Sequence, residues 1–414
     1  MLRVSTLERS YPEIPGSVLL KADLAFSGLQ VNQALVAAGK NASPHFRPVE
    51  FQGQRHPIPY FLHLPDADHP GHELLALVRA EPTSPYHLEK RGDGGFDLWE
   101  RDARIAPVRP HPKPEWYIWA EKEGLRRAMV SFDPHGDMLV VNLTPACDYW
   151  QAPGETTSFR CLFCGYGAVS ARSECLGQQR GVTSPDHETL REFERVLPLA
   201  RKHLRHLYLV GGSMRDRDAE GERYVQITSA AVRADASFRG IIGCGSQALP
   251  KQWMKRIHEA GAGYCCFNLE IWDPVLWEKL CPGKAAFIGR DRWLQDMMDA
   301  VDIFGRGAVF SAFVAGAELV PPLGFRSSEE ALASAVEGTD WMLSRGMVPI
   351  YSPFSPIANS AYGGTTGPTL DYFLRLNLET AKLRKKHRLL VDTRFICSDC
   401  TYAQIECDLD QAMR

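Results

Sequence analysis

From about residue 135 the chain alternates short apolar runs with longer amphipathic ones. DMLVVNLT (137–144) is a nearly continuous apolar run, the composition of a strand buried on both faces. The amphipathic segment PDHETLREFERVLPLARKHL follows, with Ser184 as its expected N-cap and Pro185 in its first turn. HLYLVGG, GIIGCG, GYCCFNLE, GAVFSAFVAG and MVPIYS continue the strand series. Between them RYVQITSAAVRA, KQWMKRIHEAG, RWLQDMMDAVDIFG and SSEEALASAVEGTDWMLSRG read as helices. Six such β/α units predict an α/β fold with a parallel sheet or barrel and right-handed crossovers. Chemistry in that architecture sits at the C-terminal ends of the strands. A last helix, LDYFLRLNLETAKLRKKH, precedes a short tail.

Residues 1–130 follow a different rhythm. Prolines and histidines are frequent, helical periodicity is poor, and strand-like PYFLHL and HELLALVRA alternate with turns such as EKRGDGG. This predicts a mixed, strand-containing N-terminal domain, closed by a proline-rich link, APVRPHPKPEW. The expected division is 1–130, a barrel over 131–355, and a C-terminal helix and tail over 356–414.

Charge adds exclusions. Lys and Arg number 47 against 50 Asp and Glu, a net charge of −3, which gives no support for nucleic-acid or membrane-surface binding. The basic run Lys382–Arg388 reads as a solvated helix face. No segment suits a signal peptide or a membrane span, so a soluble, cytoplasmic protein is expected. Eleven cysteines in such a compartment argue for metal, redox or buried roles rather than disulfides.

Cys147, Cys161 and Cys164 fall directly after the first buried strand, the first separated from the tight CLFC pair by thirteen residues. Soft thiolates favour zinc or an iron–sulfur cluster. Zinc would need a fourth ligand, for which Cys175 is available, but only one tight cysteine pair is present where zinc ribbons have two. Cys175, Cys244, Cys265, Cys266 and Cys281 are scattered and read as small buried hydrophobes rather than ligands.

At these residues the sequence resembles the radical S-adenosylmethionine (radical SAM) enzymes, nearest their biotin-synthase-like branch. That family has a partial (β/α)6 TIM-like barrel and three cysteines in the loop after its first strand. They hold a [4Fe–4S] cluster whose open iron takes the amine and carboxylate of S-adenosylmethionine (SAM). Here CLFC fits the second gap, with Phe163 in the aromatic place, while the first gap is lengthened from three residues to thirteen. LVGGS offers Gly211, Gly212 and Ser213 where the family's second strand holds the SAM amine, without the usual Glu. FNLEIWD offers Asn268 and Glu270 at alternate positions for the ribose. Arg290 or Arg292 would pair with the SAM carboxylate, and Val314 with Ala315 would approach the adenine, Glu318 closing that motif. Each signal alone also has a plain structural reading; together they occur in the expected order over about residues 137–352.

The resemblance implies reductive cleavage of SAM to a 5′-deoxyadenosyl radical and hydrogen abstraction from a small-molecule or peptide substrate. It also implies a reducing partner such as flavodoxin or ferredoxin. Cys397, Cys400 and Cys407 form a second array, expected to carry an auxiliary iron–sulfur cluster, or zinc with Asp399, Glu406 or Asp408 as fourth ligand. Such a centre would assist sulfur insertion or rearrangement. The alternatives are a zinc-stabilised, non-catalytic binding or adaptor protein and an RNA-modifying radical SAM enzyme, the latter disfavoured by charge.

Overall fold

The structure is a computed structural model and describes residues 2–40, 46–67, 69, 71–144, 146–150, 158–165 and 186–413. Cys175, Ser184 and Pro185 lie outside the described residues. The chain divides into two compact units. One comprises Met1–Ile118, Pro134–Met138 and Ile396–Arg414, the other Trp119–Asp133 and Leu139–Phe395. The sequence rhythm instead set boundaries at 130 and 355. The difference has a packing cause: helix Leu370–Lys386 lies against helix Ser328–Ser344 of the larger unit, while the tail beyond Phe395 packs with the N-terminal strands.

In the N-terminal unit, β1 (Phe46–Phe51) and β2 (Gln54–Pro59) form a hairpin. An antiparallel sheet then runs β4 (Glu73–Leu77), β3 (Phe61–Pro65), β7 (Ala103–Pro110), β6 (Phe96–Glu100), β5 (Tyr86–Lys90). β3 and β4 are the expected PYFLHL and HELLALVRA strands. Contrary to expectation, half of the proline-rich link is strand. β7 takes in Pro107 and Pro110, but it meets β3 only at Leu62↔Pro110 and His63↔Arg109. Over the rest of its length, Pro107 included, one side carries no ladder and a missing proline N–H costs little, while Pro110 is the last residue of the strand. Helices Arg3–Ser10, Gly16–Ser27 and Gln33–Gly39 were not legible as periodicity. Gly16–Ser27 buries Val18, Leu19, Leu20, Ala22 and Leu24 almost all round, which erases an amphipathic signature. The tail covers the β4 edge, Leu75 N–H donating to Ser398 O and Leu77 N–H to Tyr402 O.

The larger unit is built on a sheet ordered β8 (Phe132–His135), β9 (Met138–Asn142), β10 (His206–Val210), β11 (Ile242–Ser246), β12 (Ala262–Phe267), β13 (Val309–Ala315), β14 (Met347–Pro353). Strands β10 to β14 pair in parallel. Each strand adds beside its predecessor, so every crossover steps the same way and right-handed connections put the helices on one face. The result is an α/β fold with an open, partial barrel, as the six-unit reading predicted. Leu139, Leu207, Ile242, Cys265, Val309 and Met347 are fully buried. Among the described residues the first crossover helix is His187–Arg201, whose N-cap is Asp186: its carboxylate accepts from Thr189 N–H.

Candidate active site

The loop after β9 is fixed to the end of β10 by backbone bonds, Leu143 N–H to Val210 O at 2.7 Å and Asp148 N–H to Ser213 O at 2.9 Å. The approach of the two loops requires glycine. A Cβ on Gly212 would stand 1.7 Å from the Ala146 carbonyl oxygen and 2.8 Å from the Cys147 Cα. Arg223, fully buried, donates to Gly212 O at 3.1 Å from behind. The CLFC turn closes with Cys164 N–H on Cys161 O, and Leu162 N–H donates to Leu280 O.

These contacts bring the expected residues to one cavity of about 230 Å³. Cys147, Cys161 and Cys164, Gly211, Gly212 and Ser213, and Asn268 with Glu270 all line it. Phe163 is buried behind the turn rather than on the cavity. Asn268 and Glu270 lie past the end of β12, so the alternate-strand-position reading does not apply to them. The Asn268 carboxamide accepts from the Cys266 thiol and Ala312 N–H. Glu270 is held at φ +72°, a left-handed backbone rare for a residue with a Cβ, by the bonds Glu270 N–H to Ala312 O and Val314 N–H to Glu270 O. Such strain costs of order 1–3 kcal/mol and persists only where surrounding structure imposes it.

The arginine expectation is corrected. Arg290 stacks over Trp272 and donates to its carbonyl at 2.7 Å, and Arg292 pairs with Asp296 at 2.8 Å. Neither lines the cavity. The cations that do are Arg160 and Lys284, which the sequence reading missed. Lys284 Nζ donates to Glu270 Oε1 at 2.8 Å and to Asn268 O at 2.5 Å, both side chains nearly buried. Burial alone would lower the Lys284 pKa; the Glu270 carboxylate and the Cys161 and Cys281 thiols outweigh it, so the ammonium is held charged. A signal existed in CPGK, where a lysine follows proline in a turn of helix, but nothing local ties it to Glu270.

Cys281 was read as an isolated hydrophobe, yet its thiol hydrogen-bonds that of Cys161. This bond and burial push the Cys161 pKa well up. Burial raises the Cys147 thiol to about 11. Thiols so placed become thiolates only against a compensating cation, which is the condition a metal site supplies.

Val314 faces a separate cavity of about 20 Å³ shared with Glu270 and Glu318. Glu318 is buried, accepting from Gly316 N–H and the Tyr372 hydroxyl. Behind the glycines, buried Glu220 accepts from Met214 N–H at 2.7 Å and from Gln247, whose amide oxygen accepts from the Tyr149 hydroxyl at 2.5 Å. Gln247 and Tyr149 line the cavity, so this network sets the position of its floor.

No protein-family profile matches the chain. It is 20% identical over 330 residues to bacteriochlorophyllide c C-7(1)-hydroxylase of Chlorobaculum limnaeum, over 77% of each chain. Among solved structures, methylornithine synthase (PylB) superposes with a TM-score of 0.40 at 17% identity, over 63% of this chain and 70% of that one. A radical SAM methyltransferase from Sphaerobacter thermophilus gives 0.41 at 16% identity, over 74% and 76%. The FeFe-hydrogenase maturase HydG from Carboxydothermus hydrogenoformans gives 0.41 at 16%, over 66% and 56%.

Proposed function

We propose that the chain is a radical SAM enzyme whose cluster is held by Cys147, Cys161 and Cys164. The observation that carries this reading is convergence. Three thiols, a glycine turn with close backbone approach, a carboxylate and two cations, drawn from five separate stretches of the chain, line one cavity. The donor set fits the group: three soft ligands leave an open coordination site, and the cavity they edge is wide enough for an organic ligand. When bound, cluster and SAM supply a 5′-deoxyadenosyl radical able to take hydrogen from an unactivated carbon. Hydroxylation at carbon, the activity in the relative's name, is chemistry that can begin with such a removal.

The chain's own residues bind and orient. Gly211–Ser213 present backbone polar groups to an amine. Arg160 or Lys284, in place of Arg290 and Arg292, meets a carboxylate. Glu270 accepts from ribose hydroxyls, and Asn268, whose oxygen already accepts twice, donates its amide N–H to the sugar. Cys397, Cys400 and Cys407 supply a second, separate metal centre. The substrate is a small molecule or peptide, and a low-potential electron carrier delivers the electron. The test is Cys161→Ala: iron bound at the first site and formation of 5′-deoxyadenosine should both be lost. Wild-type iron content and activity in that variant would refute the assignment.

A further inference from the structure

The tail cysteines are buried in the N-terminal unit. Cys397, Cys400 and Cys407 are 3%, 4% and 2% exposed. Residues 397–400 form a tight turn, with Cys400 N–H on Cys397 O, and Cys397 N–H donates to the Cys400 sulfur at 2.9 Å. The Cys400 thiol in turn donates to Cys397 O at 3.1 Å, which closes the turn on itself. Cys407 joins from helix Glu406–Ala412, its thiol 3.5 Å from Ile396 O.

A carboxylate reaches this turn from far upstream. Both oxygens of Asp137 lie 3.2 Å from Cys397 Sγ, and the ligand atoms of Asp137, Cys397 and Cys400 are all within 4.8 Å of one another. Gly136 makes the approach possible. It adopts φ +57°, and a Cβ there would stand 1.6 Å from the Asp399 carbonyl oxygen. Among the tail carboxylates considered from sequence, Asp408 is engaged elsewhere, in a fully buried ion pair with Lys21 at 2.7 Å.

We infer that Asp137, Cys397 and Cys400 bind one divalent metal ion of the zinc type, and that Cys407, from the helix that follows, turns its sulfur to it as the fourth ligand. This rests on reading the three thiols as a metal centre, and it adds the ligand and the nuclearity. Three sulfurs and one oxygen make a closed tetrahedral set, whose atoms stand about 3.5–4 Å apart around zinc with bonds of about 2.0–2.3 Å. A cubane cluster instead gives each thiolate its own iron and spreads the sulfurs across the cube; the close grouping of Asp137, Cys397 and Cys400 fits the single ion. A closed set has no vacant position for substrate, so the ion is structural: it fastens the tail to the turn that carries Gly136 and Asp137.

The experiment is metal analysis of the whole protein, purified anaerobically from medium containing both iron and zinc. Wild type should hold about one zinc per chain that Cys161→Ala retains and Cys400→Ser loses. Asp137→Ala should release zinc to a chelator at about tenfold lower chelator concentration or less, and Asp137→Cys should restore retention, which a merely packing role would not do. Iron, rather than zinc, falling with Cys400→Ser would overturn the single-ion assignment. Loss with Cys400→Ser but unchanged zinc affinity in Asp137→Ala would overturn the carboxylate ligand alone. No change of either metal in Cys400→Ser would refute the centre itself.

Discussion

Glu270 is the residue on which the larger cavity turns. It is strained, nearly buried, and neutralised by Lys284. Removing one member of a buried pair leaves the other uncompensated, at a cost of about 3–5 kcal/mol. Glu270→Gln should therefore raise the SAM dissociation constant about tenfold or more and also lower the unfolding midpoint. Adding Lys284→Met should recover stability but not affinity. Recovery of both, by calorimetry and denaturant titration, would mean that the carboxylate serves packing only. Gly212 makes a second residue-scale prediction. The Cβ of Gly212→Ala must displace the Ala146–Cys147 backbone. The first site should lose most of its iron while far-ultraviolet circular dichroism stays as in wild type. A variant loaded like wild type would show that the close approach is dispensable.

At the scale of elements, the strands that position the site were largely legible and its side-chain partners were not. β9, β10, β13 and β14 are short, mostly buried apolar runs, and β11 and β12 are short buried runs of small, aromatic and sulfur-bearing residues, so composition reveals them. β7 was hidden because its prolines read as a linker, and helix Gly16–Ser27 because its burial is nearly uniform. Lys284, Cys281 and Asp137 were missed for a shared reason: each meets its partner only through the tertiary fold, Lys284 standing 14 positions from Glu270 and Asp137 260 positions from Cys397. Helix His187–Arg201 carries a prediction of its own. Thr189 N–H draws the Asp186 carboxylate down to about 2, so its contribution is present above the unfolded pKa and lost as pH falls through the folded one. Asp186→Ala should cost about 1 kcal/mol at neutral pH, the gap closing between about pH 4 and pH 2. Urea unfolding at both ends of that range checks it; a gap independent of pH would remove the charged cap from the account.

For the molecule as a whole, charge is near balance, and among the described residues no helix is long and apolar enough to cross a membrane. The sequence pattern pointed to the larger cavity because cysteines, glycines and carboxylate fall at the ends of successive strands, where a parallel sheet gathers them. It misplaced the cation because a helix start was taken for a ligand contact, whereas Arg290 is spent on Trp272. The central claim is that this cavity cleaves SAM. Reconstituted protein, incubated anaerobically with dithionite and SAM, should form 5′-deoxyadenosine, measured by mass spectrometry, and Cys161→Ala should form none. Iron-loaded wild-type protein that leaves SAM intact under these conditions would contradict the account.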